Sequence, residues 1–204
     1  MTIVVGENGS GKSSLLEAIA ANCGFGAHGG GRNQGHLAES DIMPVLRAMR
    51  FSWFPRVARG FFFRAESFFD FAGYVDEFGT AGFGAYGGRS LNAQSHGEAF
   101  LSLFENRFGF DAFYLFDEPE AALSPSRQLA FLDLVHRLSC RERCQIIMAT
   151  HSPMLMSYER AELMFLETDG SLSEKSFRAT PHWALYARFI ADPARFQPTD
   201  DEVS

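Results

Sequence analysis

The sequence predicts an α/β domain with a mostly parallel β-sheet flanked by helices. Two observations support this fold class: short apolar runs suited to buried strands recur along the chain, and segments with helical spacing of apolar residues lie between them. Strands that alternate with helices in this way form parallel sheets. Because the chain contains no internal repeat and no clear second unit, we expect a single domain over residues 1–204.

The predicted strands and helices follow one another along the chain. The clearest helix start is Ser124-Pro125, where Ser serves as the N-cap and Pro takes the first helical position. Two glycine-rich stretches, residues 24–36 and 79–88, are expected to be loops, the first of them mobile. The predicted strands are residues 2–5, 60–64, 112–116, 145–150 and 163–167. The predicted helices are residues 13–21, 41–50, 67–78, 98–108, 125–139 and 182–190.

Composition and charge exclude several classes of protein. Hydrophobic residues make up 46% of the chain and charged residues 21%, as in ordinary soluble proteins. A net charge of −7 disfavours a general nucleic-acid binder. Cys23, Cys140 and Cys144 match no metal-site or disulfide spacing and indicate reduced thiols. No signal peptide and no apolar run long enough to span a membrane occur, so we expect a cytoplasmic protein without a membrane partner.

Phenylalanine is unusually abundant, with 22 residues, several of them in runs such as residues 61–63 and 68–71. We interpret most of them as core residues. Any that stay exposed would indicate contact with a protein partner or with a missing piece of the same core.

A phosphate-binding pattern lies directly after the first predicted strand. The stretch that begins at Gly6 and ends at Ser13 fits G-x-x-x-x-G-K-[ST] and opens a predicted helix, which is the context this pattern requires. Backbone N–H groups of such a loop surround an anion, and the helix dipole adds positive charge. We expect Lys12 to reach the β- and γ-phosphates and the Ser13 hydroxyl to hold Mg²⁺. The predicted nucleotide-binding residues are Gly6, Glu7, Asn8, Gly9, Ser10, Gly11, Lys12, Ser13 and Ser14.

Two acidic residues, Asp117 and Glu118, follow the apolar run at residues 112–116. Open α/β sheets bind ligands at the carboxyl ends of their strands, so both acids are candidate site residues. Asp117 is the candidate Mg²⁺ residue. Glu118 is the candidate catalytic base that orients or deprotonates the attacking water.

A histidine, His151, stands at the end of another predicted strand, residues 145–150. Its imidazole would donate a hydrogen bond to a γ-phosphate and sense whether that group is present. A histidine at a strand end is more often structural, but the order of the three elements along this chain favours the catalytic interpretation.

Together these elements resemble the ABC ATPase superfamily, and more closely the soluble AAA-type ATPases related to RecF and SMC heads. The resemblance covers residues 2–166. Residues 118–125 resemble the end of the Walker B motif followed by the D-loop, with Ser124 where the family often has Asp. The residues that resemble the family's signature, which acts in trans, are Ser95, His96, Gly97 and Glu98. His96 replaces a signature glycine, and the same stretch also fits a helix N-cap with Glu at the third position.

The resemblance also implies features that depart from the family pattern. A metal-facing Gln usually follows the second strand in the family. Here either Glu66 takes its place, or Glu66 and Arg64 form a surface pair. A helical signature region at about 67–108 is inserted in the domain, and the tail at about 191–204 is expected to be flexible. The N-terminal β-subdomain with its adenine-stacking aromatic residue is expected to be reduced.

The function that the resemblance implies is Mg²⁺-dependent ATP binding and hydrolysis that drives head-to-tail dimerisation. The use of that dimer stays open between control of a partner protein, which we favour, a RecF-like DNA-associated ATPase, and the nucleotide-binding subunit of a membrane transporter. A scaffold that binds nucleotide without turnover is a further alternative, which the presence of both Asp117 and Glu118 disfavours. A long coiled-coil arm is excluded, because too few residues separate Lys12 from Ser95.

Overall fold

The fold is built on one six-stranded sheet with the strand order β2-β3-β4-β1-β5-β6. The computed structural model describes residues 1–26, 29–31, 39–53, 59–77, 79, 87–94, 96–107, 111–140 and 144–197. The strands are β1 (Thr2–Val5), β2 (Arg59–Arg64), β3 (Ala112–Asp117), β4 (Gln145–Ala149), β5 (Glu162–Leu166) and β6 (Leu172–Glu174). Neighbouring strands are parallel except β5 and β6, which are antiparallel. The predicted mostly parallel α/β fold is confirmed.

Helices connect the strands. They are α1 (Lys12–Cys23), α2 (Glu39–Ala48), α3 (Phe68–Glu77), α4 (His96–Arg107), α5 (Pro125–Ser139), α6 (Pro153–Met156) and α7 (Pro181–Ala191). Along the chain, helices α3 and α4 follow β2 and precede β3, so they belong to the segment predicted as an inserted helical region. The two strands themselves are neighbours in the sheet. The sequence did not predict β6 or α6, because elements of three and four residues are too short to show a periodic pattern.

The two faces of the sheet carry two apolar clusters. On β2 and β3, Phe61 and Tyr114 join the larger cluster, whereas Phe62, Phe113 and Leu115 join the smaller one on the opposite face. This division follows from the alternation of side chains along a strand. Every residue of β3 is buried, as expected for a strand covered on both faces.

Most of the phenylalanines that the structure describes lie in this core, as predicted. Phe63 and Phe104 both contact Phe100, with ring centroids 4.5 and 4.3 Å apart. Phe189 and Phe196 are instead exposed. No helix in the described ranges is long and apolar enough to span a membrane.

The glycine-rich stretch after α1 contacts the sheet where it is described. The N–H of Gly30 donates to the carbonyl of Phe62 at 2.8 Å, and the N–H of Phe62 donates back at 3.1 Å. This part of the predicted mobile loop therefore pairs with β2. Residues 27, 28 and 32–36 of that loop lie outside the described residues.

The strand register brings four chain segments together at one edge of the sheet. Val4 pairs with Ala149, Ala149 with Asp117, and Asp117 with Arg64. Because β4 lies between β1 and β3, the segment that follows β4 is placed between the segments that follow the other two strands. This edge carries the candidate site.

Candidate active site

The predicted phosphate loop leaves β1 and enters α1 through glycines that the backbone requires. Gly11 stands at the N-cap of α1 with φ of 96°, a left-handed conformation that favours glycine. At Gly6 the backbone packs so closely that an added Cβ would lie 2.5 Å from the carbonyl oxygen of Leu166. Residues with side chains at these two positions would distort the loop, so its shape depends on the pattern found in the sequence.

Lys12 lies in the first turn of α1 and is only 4% exposed. Its ammonium group donates to the carbonyl oxygens of Gly6 at 3.0 Å and Glu7 at 3.1 Å, so it folds back over the loop. Burial lowers the pKa of Lys12, while the nearby carboxylates, Glu118 and Asp117 foremost, act to raise it. The loop therefore encloses the ammonium group of Lys12, which is available to contact an anionic ligand.

Asp117, at the end of β3, contacts the residue after Lys12. The Ser13 hydroxyl donates to Oδ1 of Asp117 at 3.1 Å, which joins the start of α1 to the end of β3. Burial raises the pKa of Asp117 to about 6, against the opposing effects of Arg64 and the Ser13 hydrogen bond. A cation placed beside a buried carboxylate stabilises the charged form of that carboxylate.

Ser13 and Asp117 fit the Mg²⁺ role predicted for them. Mg²⁺ in nucleotide sites binds one or two protein oxygens together with substrate phosphates, and these two side chains supply adjacent oxygen atoms. Among the residues that the structure describes, no group of three His, Cys, Asp or Glu side chains could hold a metal ion by itself. When bound, Mg²⁺ would neutralise charge on the β- and γ-phosphates.

Glu118 has an unusual backbone conformation. Its φ of 48° places it in the left-handed region, which is rare for residues other than glycine. Its N–H donates to the carbonyl of Ala149 at 3.0 Å, and a 3-10 turn, Pro119–Ala122, starts directly after it. Because the chain changes direction here, the side chain of Glu118 no longer follows the alternation of side chains along β3. The Glu118 side chain is 44% exposed, whereas Asp117 is buried. Strained residues of this kind cluster at functional sites.

His151 follows β4 and lies beside Glu118. Its Nε2 is 3.5 Å from Oε1 of Glu118, and it makes no hydrogen bond among the described residues. Burial lowers the pKa of His151, and the positive charge of Lys12 lowers it further. A neutral imidazole between Lys12 and Glu118 can donate one hydrogen bond to an arriving ligand.

Glu120 fixes the backbone at His151. Its Oε1 accepts hydrogen bonds from the N–H of His151 at 2.5 Å and from the N–H of Ser152 at 3.2 Å. Burial raises the pKa of Glu120, and these hydrogen bonds oppose the effect. On the other side, the Ser152 hydroxyl donates to Oε1 of Gln128 at 2.5 Å. The turn after β4 is thus held by the segment that follows β3.

Glu66, the predicted alternative metal residue, contacts Arg64 at the surface. Its side chain is 83% exposed and pairs with Arg64, with 3.2 Å between Nη2 and Oε2. Arg64 itself reaches the site, since its Nε is 3.6 Å from Oδ2 of Asp117, and it also pairs with Glu17. The sequence allows Glu66 either as a metal-facing residue or as part of a surface pair with Arg64. The exposed position of Glu66 and its contact with Arg64 fit the surface pair.

The signature stretch is only partly described. Ser95 lies outside the described residues, while His96 and Gly97 begin α4. Glu98, in the first turn, is 61% exposed and lies 3.8 Å from the guanidinium of Arg127. Among the described residues, the ion-pair contact of Glu98 is with Arg127 rather than with the phosphate loop, and the role in trans predicted for residues 95–98 stays a prediction.

Sequence reasoning missed three residues that the fold brings to the site. Arg64 lies opposite Asp117 in the register, Glu120 holds the turn at His151, and His182 contacts the His151 ring with centroids 5.7 Å apart. Arg64 and Glu120 stand within two residues of positions that were predicted, which is the only signal the sequence offered for them. Nothing in the sequence pointed to His182.

We expect the substitution Asp117→Asn to stabilise the free protein at neutral pH. The raised pKa means that folded Asp117 binds its proton more tightly than the unfolded chain does. The free energy of unfolding therefore falls as the pH rises from about 4 to about 6. An Asn avoids this cost and should raise the free energy of unfolding by about 1–3 kcal/mol at pH 7.

Urea denaturation at pH 7 and pH 4 measures this difference. At pH 4, where Asp117 is protonated in the folded protein, the two proteins should converge in stability. If the variant is equally stable or less stable than the wild type at pH 7, the buried carboxylate of Asp117 does not destabilise the folded protein and the prediction is wrong. Turnover should be lost in the variant, because the carboxylate predicted to hold Mg²⁺ is gone.

Comparison with known proteins adds two family matches. Residues 1–45 match a family model described as an AAA domain, and residues 98–156 match one described as an AAA ATPase domain. The first match includes the phosphate loop, and the second includes Asp117, Glu118 and His151. No curated protein sequence matches the chain.

Solved structures also match the chain. They include an inward-facing conformation of a metal-chelate type ABC transporter, which is 18% identical in sequence. That match covers 93% of this chain and 78% of the other, with a TM-score of 0.47.

Proposed function

We propose that this chain, an AAA-type P-loop ATPase that binds and hydrolyses ATP, uses the nucleotide to join two copies head to tail and thereby controls a partner protein. Each site would combine the phosphate loop, Asp117, Glu118 and His151 of one copy with residues 95–98 of the other. ATP would hold the two copies together, and its hydrolysis would release them.

The observation that carries this proposal is the open side of the site. Glu118 is 44% exposed and His151 is partly exposed, although they are the residues proposed to act on a γ-phosphate. Hydrolytic sites gain from excluding bulk water, because electrostatic interactions strengthen when water is removed. A second copy that covers Glu118 and His151 would provide this exclusion.

The start of α4 is suited to the covering surface. Its N-terminal N–H groups form a place where an anion such as the γ-phosphate is stabilised. Glu98 stands exposed in this first turn. These features support the predicted role of the stretch in trans.

Catalysis at each site would follow from the positions of three side chains. Glu118 would accept the proton of the water that attacks the γ-phosphorus, while the bond between that phosphorus and the oxygen bridging to ADP breaks. Lys12 lies where it can neutralise charge on the phosphates. His151 would donate a hydrogen bond to the γ-phosphate, so that its position reports whether that group is present.

We expect the Glu118→Gln variant to form a dimer with Mg-ATP and to remain a monomer with Mg-ADP. Loss of turnover keeps ATP in place, and only ATP carries the γ-phosphate that both copies would contact. Sedimentation velocity measures the two states. A monomer under both conditions, with ATP shown to be bound, would contradict head-to-tail dimerisation.

A charge reversal tests which surface joins the copies. Added to Glu118→Gln, Glu98→Arg should abolish the ATP-dependent dimer, because it removes the carboxylate 3.8 Å from Arg127 and brings two cations together at the start of α4. ATP binding to the monomer should stay intact. Glu105→Arg provides the matched control, because Glu105 is an exposed glutamate on the same helix, two turns beyond Glu98. Equal loss of the dimer in both variants would contradict the specific role of the signature stretch.

A partner protein is favoured over DNA by the charge of the chain. The chain has a net charge of −7, and a negatively charged protein is repelled by the phosphate backbone of DNA. Double-stranded DNA is therefore not expected to change the rate of ATP hydrolysis. Stimulation by DNA would favour the RecF-like alternative instead.

A further inference from the structure

A second histidine, His182, lies behind His151. It stands in the first turn of α7, and its ring centroid is 5.7 Å from that of His151, with 45° between the ring planes. On another side its ring lies 6.2 Å from that of Phe165 in β5. His182 thus occupies the space between a core residue of the sheet and the candidate γ-phosphate sensor.

The start of α7 is capped, which orients His182. The N-cap residue Thr180 is buried, and its hydroxyl donates to the carbonyl of Phe177 at 2.7 Å. The same oxygen accepts from the N–H of Trp183 at 3.1 Å. Phe177 packs against the larger apolar cluster. His182 is therefore presented to His151 from a capped helix end.

Electrostatics also places His182 beside the phosphate loop. Burial lowers the pKa of His182, Glu7 acts to raise it, and the positive charge of Lys12 lowers it. Nδ1 of His182 is buried and has no hydrogen-bond partner among the described residues. The two imidazoles can therefore lie side by side as neutral rings near pH 7, without charge repulsion between them.

We propose that His182 is a positioning residue of the ATP site, which holds the His151 ring beside Glu118 and transmits its displacement to helix α7. This inference rests on the proposed action of Glu118 and His151 on ATP. His182 acts through its ring contact, so a shift of His151 on ATP binding moves the first turn of α7. Equally, a partner that displaces α7 changes the position of His151.

The substitution His182→Ala removes the ring that supports His151. We expect kcat to fall by about tenfold or more, because small misplacement of a catalytic group can cost up to about 10²-fold. KM for ATP should change by less than about twofold, since the phosphate loop is untouched. His182→Phe keeps an aromatic ring in place and should recover most of kcat. If Phe is as impaired as Ala, the ring contact is not the cause and the proposal is wrong.

A double-mutant cycle separates positioning from a general loss of packing. If His182 acts through His151, adding His182→Ala to His151→Ala should not lower kcat further. An equal further fall in the His151→Ala background would overturn the proposal. Leu185→Ala is the control on the same helix, because Leu185 is exposed and should leave kcat unchanged.

Tryptophan fluorescence provides a readout that does not depend on turnover. The chain contains two tryptophans, so Trp53→Phe leaves only Trp183, the neighbour of His182 on α7. Binding of Mg-ATP, followed in parallel by calorimetry, should change Trp183 emission, and the change should be lost in His182→Ala. If ATP fails to bind at all, the proposed function itself is wrong. If ATP binds and is hydrolysed while Trp183 emission stays constant, only the link to α7 is overturned.

Discussion

Glu118→Gln is expected to bind Mg-ATP and to lose turnover by about 10²–10⁴-fold, the contribution typical of a general base. Gln has the size of Glu and keeps a polar end beside His151, but it cannot accept a proton from the attacking water. The left-handed backbone at Glu118 is retained by Gln at similar cost, so the fold should persist.

Phosphate release from Mg-ATP measures this effect, with Glu159→Gln as the matched control. Glu159 is an exposed glutamate in the turn before β5, and its substitution should leave kcat unchanged. Hydrolysis by Glu118→Gln at the wild-type rate would show that another group activates the water.

Lys12→Ala should lose nucleotide binding. The ammonium group of Lys12 is enclosed by the phosphate loop and donates to two of its carbonyl groups. Hydrogen bonds to charged groups contribute about 1.5–3 kcal/mol each, so loss of the contacts to phosphate should weaken ATP binding by at least about 10²-fold. Isothermal titration calorimetry with Mg-ATP measures the affinity.

Lys175→Ala is the natural control, because Lys175 is the only other lysine of the chain. Its ammonium group pairs with Glu167 at 2.6 Å and lies over the ring of Phe165, whereas Lys12 donates to the phosphate loop itself. ATP affinity should be unchanged in this variant, and thermal unfolding should confirm that both variants are folded. Wild-type affinity in Lys12→Ala would contradict the identification of the loop.

Local patterns made much of the fold predictable. The parallel strands β1 to β5 were each predicted within about two residues, since buried strands leave continuous apolar runs in the sequence. The phosphate loop was predictable in detail because its function depends on consecutive residues between Gly6 and Ser13. The family match to residues 1–45 includes this loop.

The position of Glu66 could not be predicted from the neighbouring sequence. The sequence offered two interpretations of the stretch after β2, and nothing in it indicated which side chain turns towards Asp117. The choice depends on where β2 ends: Arg64 is its last residue and pairs with Asp117, whereas Glu66 lies beyond the strand and is exposed. Alternation along a strand no longer applies once the strand has ended.

The sequence by itself determined the class of fold and the chemistry of the site: a phosphate loop, two acids and a histidine, each at the end of a predicted strand. The tertiary structure alone decided the strand order, which places β4 between β1 and β3 and so places His151 between Lys12 and Glu118. It also decided that Arg64, Glu120 and His182 join the site. These contacts arise from register, a left-handed turn and the packing of a distant helix, and such long-range geometry leaves no pattern among neighbouring residues.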